Sequence, residues 1–508
     1  MKRKLYLETF GCQMNVLDSE LVLSQLRAQG YDSTEDRESA DVILYNTCSV
    51  REHAEQKVWS RLGELRDRKT DKPGTVIGVI GCMAERDGLR IFERFPHVDL
   101  LCGPGELDRL PSMVHNAVVT SAPSDHTPHA PPARQVALMG AASRRSSTLV
   151  AAEDHLEMLD LSRSVSPGDD VSQAYVRITR GCNKFCTYCV VPYTRGAEVH
   201  RPPQNIIDEV KMLADAGALE VTLLGQTINH YAFAHGDGRA TTFAQLLYLI
   251  HEAVPHLPRL RFVTSYPRDF TDEALQAMRD CPRICRYLHA PAQHGDDRIL
   301  KLMNRGYTSG QYYDFIDRAR SYMPDVSLAS DFIVGFPTET DAEFEKTVQL
   351  LRHCRFKNSF IFKYSPRPGT VAITRFDDDV PDPVKRQRNN ALLAVQHEVS
   401  LDLNREMVGK TVELMVEGES KLVSKKAYPA AGSAGGGGAG GLVQLGMKGK
   451  SAASDAAAVL EPAPAVQLVG RTRGDQVVVF NGDLALKGKL VSGRITAAKG
   501  MTLFADLL

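Results

Sequence analysis

The sequence predicts an α/β protein in three parts: an N-terminal parallel α/β domain, a central partial (βα) barrel and a small C-terminal β-barrel. Three observations carry that expectation. Short β-rich runs alternate with helical stretches through residues 1–115. Six strand candidates, separated by amphipathic helices, follow within residues 172–405. Residues 406–508 then carry short apolar runs with turn signals and little helical periodicity.

The bulk properties are compatible with this division. A chain of 508 residues exceeds one ordinary domain, and 43% hydrophobic with 24% charged residues gives a globular core. The net charge of −1 carries no global nucleic-acid signal. No run of about 18 apolar residues suggests a membrane span. The start, Met1-Lys2-Arg3-Lys4-Leu5-Tyr6, lacks a long apolar stretch and a small-residue cleavage site, so no signal peptide is expected. The expected location is the cytoplasm, where ten cysteines point to metal binding or catalysis before disulfides.

In the N-terminal part, residues 4–9, 41–47 and 75–81 read as strands. The helices between them span 15–29, closed by Gly30, and run from a capping box at Ser49-Val50-Arg51-Glu52 to about residue 69. Ligands of parallel sheets bind beyond the carboxyl ends of the strands. Cys12, Cys48 and Cys82 all sit there, each before a helix whose N-terminal dipole favours a thiolate. One such cysteine is an ordinary packing filler. Three at equivalent positions make a candidate ligand set. Cys102 closes a fourth short run and reads as packing, because Pro104 and Gly105 turn the chain away.

Residues 116–171 are rich in Ala, Ser, Pro and His and read as a connector, with a short ordered piece at 153–161 and solvated histidines. Ala174-Tyr175-Val176-Arg177-Ile178 is then a strand leading into Arg180-Gly181-Cys182-Asn183-Lys184-Phe185-Cys186-Thr187-Tyr188-Cys189. Further strands are expected at 220–224, 260–265, 286–289, 326–334 and 359–364, with helices over 204–216, 243–253 and 342–353. Barrels of this kind place their site at the C-terminal ends of the strands, where the cysteine loop lies. Structural zinc takes four ligands in paired spacings. Cys182, Cys186 and Cys189 are three on one loop, with no second CxxC or HxxxH nearby, and Cys281 and Cys285 read as packing. Three thiolates on a four-iron cluster leave one iron for chemistry.

In the C-terminal part, strands are expected at 412–416, 466–469 and 476–480, with Asn481-Gly482 as a hairpin signal. A Gly-rich insert spans 427–465; Gly449-Lys450-Ser451 follows its tract at 430–441, but Gln444 stands where a phosphate loop needs its first glycine, so the insert reads as flexible. From Val408 to Leu508 there are 12 Lys or Arg against 8 Asp or Glu, an excess of +4 that suits a nucleic-acid-binding β-barrel.

The cysteine loop resembles the signature of radical S-adenosylmethionine enzymes. The likeness narrows to the tRNA methylthiotransferases through Gly11-Cys12-Gln13-Met14-Asn15, Asn46-Thr47-Cys48-Ser49-Val50-Arg51-Glu52, Gly81-Cys82-Met83-Ala84 and Cys186-Thr187-Tyr188-Cys189-Val190-Val191-Pro192-Tyr193-Thr194-Arg195-Gly196. Leu224-Gly225-Gln226, Met303-Asn304-Arg305-Gly306-Tyr307-Thr308 and Asp331-Phe332-Ile333-Val334-Gly335-Phe336-Pro337 extend it over nearly the whole chain except the connector and the insert. The chain departs from the family wording at His294-Gly295-Asp296, at Thr338 and at Thr227, and Cys102 has no counterpart in it.

The resemblance implies two 4Fe-4S clusters. Cys182, Cys186 and Cys189 hold the one that chelates and reductively cleaves S-adenosylmethionine, and Cys12, Cys48 and Cys82 hold an auxiliary one that carries the sulfur. It implies contacts from Tyr188 to the adenine of S-adenosylmethionine and from Gly225 and Gln226 to its methionyl part, with no side-chain acid or base. The implied substrate is tRNA, methylthiolated at C2 of N6-isopentenyladenosine 3′ to the anticodon and gripped by a C-terminal TRAM domain. A flavodoxin or ferredoxin is the implied electron donor, and a monomer is expected. An unactivated aryl C–H explains a radical route, because no side-chain base deprotonates it usefully. Two alternatives stand beside this reading: a sister activity on an aspartate of a ribosomal protein, and a zinc-dependent RNA-binding protein.

Overall fold

The computed structural model describes residues 2–49, 52–121, 134–140, 148–166, 169–420 and 466–508. The N-terminal strands β1 (Lys4–Thr9), β2 (Asp32–Ser33), β3 (Val42–Thr47), β4 (Val76–Gly81), β5 (Leu100–Cys102) and β6 (Gln135–Ala137) form one parallel sheet in the order β2-β1-β3-β4-β5-β6. Both β3 and β4 are buried at every residue, as continuous apolar runs covered on two faces must be. Helices α1 (Gln13–Ala28) and α5 (Leu110–Ser121) cover one face, and α2 (Glu52–Asp71), α3 (Cys82–Asp87) and α4 (Arg90–Arg94) the other.

Two expectations for this region change. The stretch read as a connector supplies β6, whose Gln135, Val136 and Ala137 pair with Leu100, Leu101 and Cys102. A three-residue edge strand is held by backbone bonds, so its side chains carry little period to read. The ordered piece within the connector is the longer helix α6 (Thr148–Leu161), docked through Asp160. The capping box at Ser49 lies partly outside the described residues.

The central strands are β7 (Gln173–Arg177), β10 (Glu220–Leu224), β13 (Arg259–Phe262), β14 (Tyr287–His289), β15 (Ser327–Val334) and β16 (Asn358–Lys363). They pair in parallel as two three-stranded sheets joined by a bridge between Leu260 and Ile284. Among the described residues β16 and β7 do not pair, so the barrel is open on that side. Two short antiparallel ribbons, β8 (Thr179–Arg180) with β9 (Val199–His200) and β11 (Ala232–Ala234) with β12 (Ala240–Thr242), decorate its rim. Amphipathic helices α8 (Pro203–Asp215), α9 (Phe243–Ala253), α10 (Asp272–Asp280), α12 (Ser309–Tyr322) and α13 (Asp341–Cys354) pack on its outside; α7 (Val191–Thr194), α11 (Asp297–Leu302) and α14 (Val371–Arg375) are short helices at its mouth. The N-terminal domain straddles the opening. Its Asp18 pairs with Arg177 of β7 at 2.7 Å, and its Glu55 with Arg367, beyond β16, at 2.6 Å.

Helix α15 (Asp382–Arg405) leads to a closed antiparallel-rich barrel of β17 (Thr411–Glu419), β18 (Val466–Arg471), β19 (Val477–Gly482), β20 (Leu490–Lys499) and β21 (Thr502–Leu507), in the order β17-β18-β19-β21-β20. Leu414, Val416, Leu468, Val478, Phe480, Ile495 and Leu503 fill it. Asn481-Gly482 is not a hairpin turn: both residues lie in β19, with Gly482 opposite Val466. The hairpin closes between β18 and β19, where Asp475 takes the left-handed conformation at φ 65°. Asp tolerates that conformation through local hydrogen bonding, so the deciding signal was Gly474-Asp475. The insert at 427–465 lies outside the described residues.

That hairpin turn docks against the N-terminal ends of the central strands. Lys357, just before β16, binds Asp475; Gln476 reaches Ser327 at the start of β15. Arg259, at the start of β13, donates to Glu413 and to the Arg471 carbonyl. Gln173 and Asp170, at the start of β7, meet Met415 and Lys487.

Candidate active site

Both cysteine triads lie at C-terminal strand ends, as expected. Cys12, Cys48 and Cys82 follow β1, β3 and β4, and Cys182, Cys186 and Cys189 follow β7 and β8. Gly11 has φ 120°, and a Cβ there would stand 2.3 Å from Cys48 Cβ. The close approach of the first two cysteine loops therefore requires glycine. Hydrogen bonding with Cys48 takes the Cys12 thiol down to about 6 against its burial, with help from Arg195. Burial pushes the Cys82 thiol up, while Arg195 opposes it.

Arg195 ties the two triads together. It follows α7, only six residues beyond Cys189, and its guanidinium faces Cys12 and Cys82 while donating to Asp18 at 2.8 Å and Asn15 at 2.9 Å. Asp18 also holds Arg177 at 2.7 Å. Arg177 pairs with Asp160 at 2.6 Å, and Asp160 receives Arg180 as well, two residues before Cys182. A buried chain of alternating charges thus runs from one cysteine set to the other.

The barrel loop is sewn in place by its backbone. Gly181 has φ 65° and no room for a Cβ against the Ala197 carbonyl. Thr187 donates from its N–H to the Met303 carbonyl at 3.0 Å and from its hydroxyl to Leu302 at 2.9 Å, and accepts from Ala372 at 2.8 Å. Past the end of α11, Asn304 is left-handed at φ 58°, so the chain folds back and Asn304 donates to the Phe185 carbonyl at 3.0 Å. That return places the Arg305 guanidinium 3.3 Å from the Cys186 sulfur. Thr227 Oγ1 lies 3.4 Å from the Cys182 sulfur. Burial raises the thiols of both Cys182 and Cys189.

Among the described residues, no three His, Cys, Asp or Glu converge as tightly as a single ion requires. In an iron–sulfur cube each cysteine binds its own corner, so wider spacing suits that donor set. Further polar groups fit a ligand at the mouth. The hydroxyls of Thr179 and Ser265, beyond β7 and β13, are buried with no partner among the described residues. Gly225 is buried directly above Thr179, with Gln226 half-buried beside it, and Tyr188 packs against the cluster of Ile299, Met303, Phe336 and Tyr364.

Sequence reasoning missed Arg195, Arg305, Thr227 and Asp160. The first two lay inside quoted motifs, but a motif does not say which sulfur a guanidinium meets. Nothing local marks Asp160.

Family comparisons agree with this geometry. Residues 4–103 match the model described as "Uncharacterized protein family UPF0004", and residues 176–351 that of the radical SAM superfamily. A protein of Rhodopirellula baltica named tRNA-2-methylthio-N(6)-dimethylallyladenosine synthase is 44% identical over 503 residues, covering 99% of this chain and 95% of its own. Proteins of the same name from Moorella thermoacetica and Neisseria gonorrhoeae are 38% and 42% identical, covering 98% and 82% of this chain and 97% and 89% of their own. In fold, the chain is similar to the radical S-adenosylmethionine methyltransferase TsrM from Kitasatospora setae, with TM-score 0.50 and 16% identity over 73% of this chain and 74% of that one. These names support neither the ribosomal-protein alternative nor a zinc-dependent RNA-binding protein. The radical SAM match implies a 4Fe-4S cluster and S-adenosylmethionine as cofactors. No described helix is long and apolar enough to cross a membrane. The chain therefore belongs to the radical S-adenosylmethionine enzymes, in the family of the tRNA-2-methylthio-N(6)-dimethylallyladenosine synthases.

Proposed function

We propose that this chain methylthiolates C2 of N6-isopentenyladenosine 3′ to the anticodon of tRNA, in the cytoplasm, drawing electrons from a small carrier such as a flavodoxin or ferredoxin. One observation carries the reading: two cysteine triads stand at neighbouring strand ends, and a single short helix, α7, bears Arg195 from the loop of one onto the sulfurs of the other. Cys182, Cys186 and Cys189 hold the cluster that binds S-adenosylmethionine; Cys12, Cys48 and Cys82 hold a second. When bound, these groups supply the electron, the radical and the sulfur that an unactivated aryl C–H demands.

The residues of the chain bind, orient and shield. Tyr188 would contact the adenine of S-adenosylmethionine, and Gly225 and Gln226 its methionyl part; the Thr179 and Ser265 hydroxyls, without a partner among the described residues, favour a polar ligand there. The Glu55–Arg367 and Asp18–Arg177 pairs draw the N-terminal domain across the barrel opening, which excludes water from the space between the triads. A splayed anticodon loop can enter such a mouth, unlike a base in an RNA helix. The C-terminal region, whose local excess of +4 is counted over residues 408–508 with the insert included, grips the tRNA backbone as a TRAM-type module, so binding weakens as salt rises.

The test is anaerobic turnover with S-adenosylmethionine and a reductant, followed by mass spectrometry of matched tRNAs with and without the isopentenyl group, beside the ribosomal-protein substrate. Methylthiolation of the prenylated tRNA alone is expected. Equal turnover of unprenylated tRNA, or preference for the protein, overturns the substrate assignment. Metal analysis showing zinc without iron or sulfide overturns the cluster reading.

A further inference from the structure

The two triads differ in how positive charge is set against their sulfurs. Arg195, beside Cys12 and Cys82, is paired with the Asp18 carboxylate at 2.8 Å, which also holds Arg177. Arg305 is not. It is 5% exposed, and its Nη1 donates to Cys186 Sγ at 3.3 Å. Its other partners are neutral: the Pro291 carbonyl at 2.8 Å, the Tyr307 hydroxyl at 3.0 Å, and the ring faces of Tyr266 and Tyr307 at 4.7 and 5.2 Å from Cζ. Among the described residues it forms no ion pair with a carboxylate. A guanidinium keeps its proton even when buried, and a buried charge must find a compensating one. Aromatic faces attract it but carry no net charge. Of the groups it touches, the Cys186 sulfur and the Tyr307 phenol can become anions, and burial pushes the Tyr307 phenol up.

We propose that Arg305 is a positioning residue for the barrel centre, its fixed charge at the Cys186 corner raising the reduction potential of the cluster held by Cys182, Cys186 and Cys189. This rests on the ligand assignment made above. Cluster potentials follow net charge and hydrogen bonds to the sulfurs, and an uncompensated cation in a buried site favours the form with one more electron. The step concerned is a one-electron reduction by an external reductant, with no bond made or broken in the protein. At the other triad Arg195 belongs to an ion-pair network through Asp18, so the two centres are biased differently by two similar arginines.

The experiment uses full-length, anaerobically reconstituted protein in a Cys12→Ala/Cys48→Ala/Cys82→Ala background, so that only the barrel centre is observed. Potentiometric titration followed by electron paramagnetic resonance compares Arg305, Arg305→Lys and Arg305→Gln. Arg305→Gln should lower the midpoint by at least about 59 mV, a tenfold change for a one-electron couple, while Arg305→Lys stays close to the parent. A cluster retained by Arg305→Lys but lost from Arg305→Gln also supports a requirement for charge. An unchanged midpoint in Arg305→Gln, an equal fall in Arg305→Lys, or loss of the cluster from both overturns the proposal in favour of a purely structural role. Cys186→Ala in the same background separates the two claims: retention of a four-iron cluster there would refute the ligand assignment and the proposal with it, whereas loss of the cluster there together with an unchanged midpoint in Arg305→Gln would refute the role of Arg305 alone.

Discussion

At the scale of single residues, the six cysteines were legible because thiols are rare and their chemistry is local. A spacing of four and three residues on one loop needs no tertiary knowledge to suggest a cluster. Cys12, Cys48 and Cys82 needed one more step, the recognition that each ends a strand of the same parallel sheet. What the sequence could not convey was the partner of each sulfur. Arg195 meets Cys82 and Arg305 meets Cys186 only because α7 and the turn after α11 fold back. Replacing Cys48 with Ala tests the division of labour. S-adenosylmethionine cleavage should persist, since the barrel loop is untouched. Iron content should fall by about four per chain, one cluster's worth, and no methylthio product should form. Normal iron and normal product in this variant would make the N-terminal triad structural.

At the scale of elements, most strands and helices with strong apolar patterns were read to within a residue or two, although β13 ends three residues before its expected bound and β17 three residues after. β10 and α9 match their expected bounds, and the predicted strand at 326–334 is β15 less one residue. The failures share a cause: elements held by backbone pairing or by charge leave little hydrophobic period. β6 is one, and α6 is the clearer. Its Asp160 side chain is 1% exposed and is shared by Arg177, Arg180 and Arg201. Burial alone would raise this carboxyl, yet the three guanidiniums hold it well below the ordinary range. Asp160→Asn would remove the buried carboxylate those cations share, leaving Arg177 to Asp18 and Arg180 and Arg201 to Glu157, so a loss of about 3–5 kcal/mol is expected in chemical denaturation. The sign of the pH dependence follows from the depressed value. The stability contributed by Asp160 is complete above its unfolded value of about 3.9 and is lost as pH falls through the lower folded value. The gap between wild type and Asp160→Asn should therefore stay constant above about pH 4 and narrow only in stronger acid. A gap that already closes between pH 7 and 5 would contradict this account.

At the scale of the whole molecule, the three-part division was legible, but not how the parts meet. The C-terminal barrel seals the end of the central barrel opposite the cysteines, and its seam rests on Lys357 and Asp475. Burial takes Lys357 down to about 8 in spite of that partner. Because both side chains retain slight exposure, at 11% and 17%, Asp475→Ala should cost toward the lower end of about 3–5 kcal/mol. Its visible result should be early release of the C-terminal barrel in limited proteolysis, with the N-terminal and central parts still folded. Unaltered proteolysis and unfolding would show that the seam does not depend on this pair. The same seam sets a length scale for the substrate. β15, running from the sealed end to the reactive mouth, has eight residues, or about 26 Å at about 3.3 Å each. A tRNA held at the far end must bridge at least that span to deliver one base to the mouth. With the tRNA gripped there as proposed, the molecule would work as a calliper: its fixed jaws would choose a nucleotide by its distance along a folded RNA, leaving the identity of the neighbouring letters a lesser part in the choice.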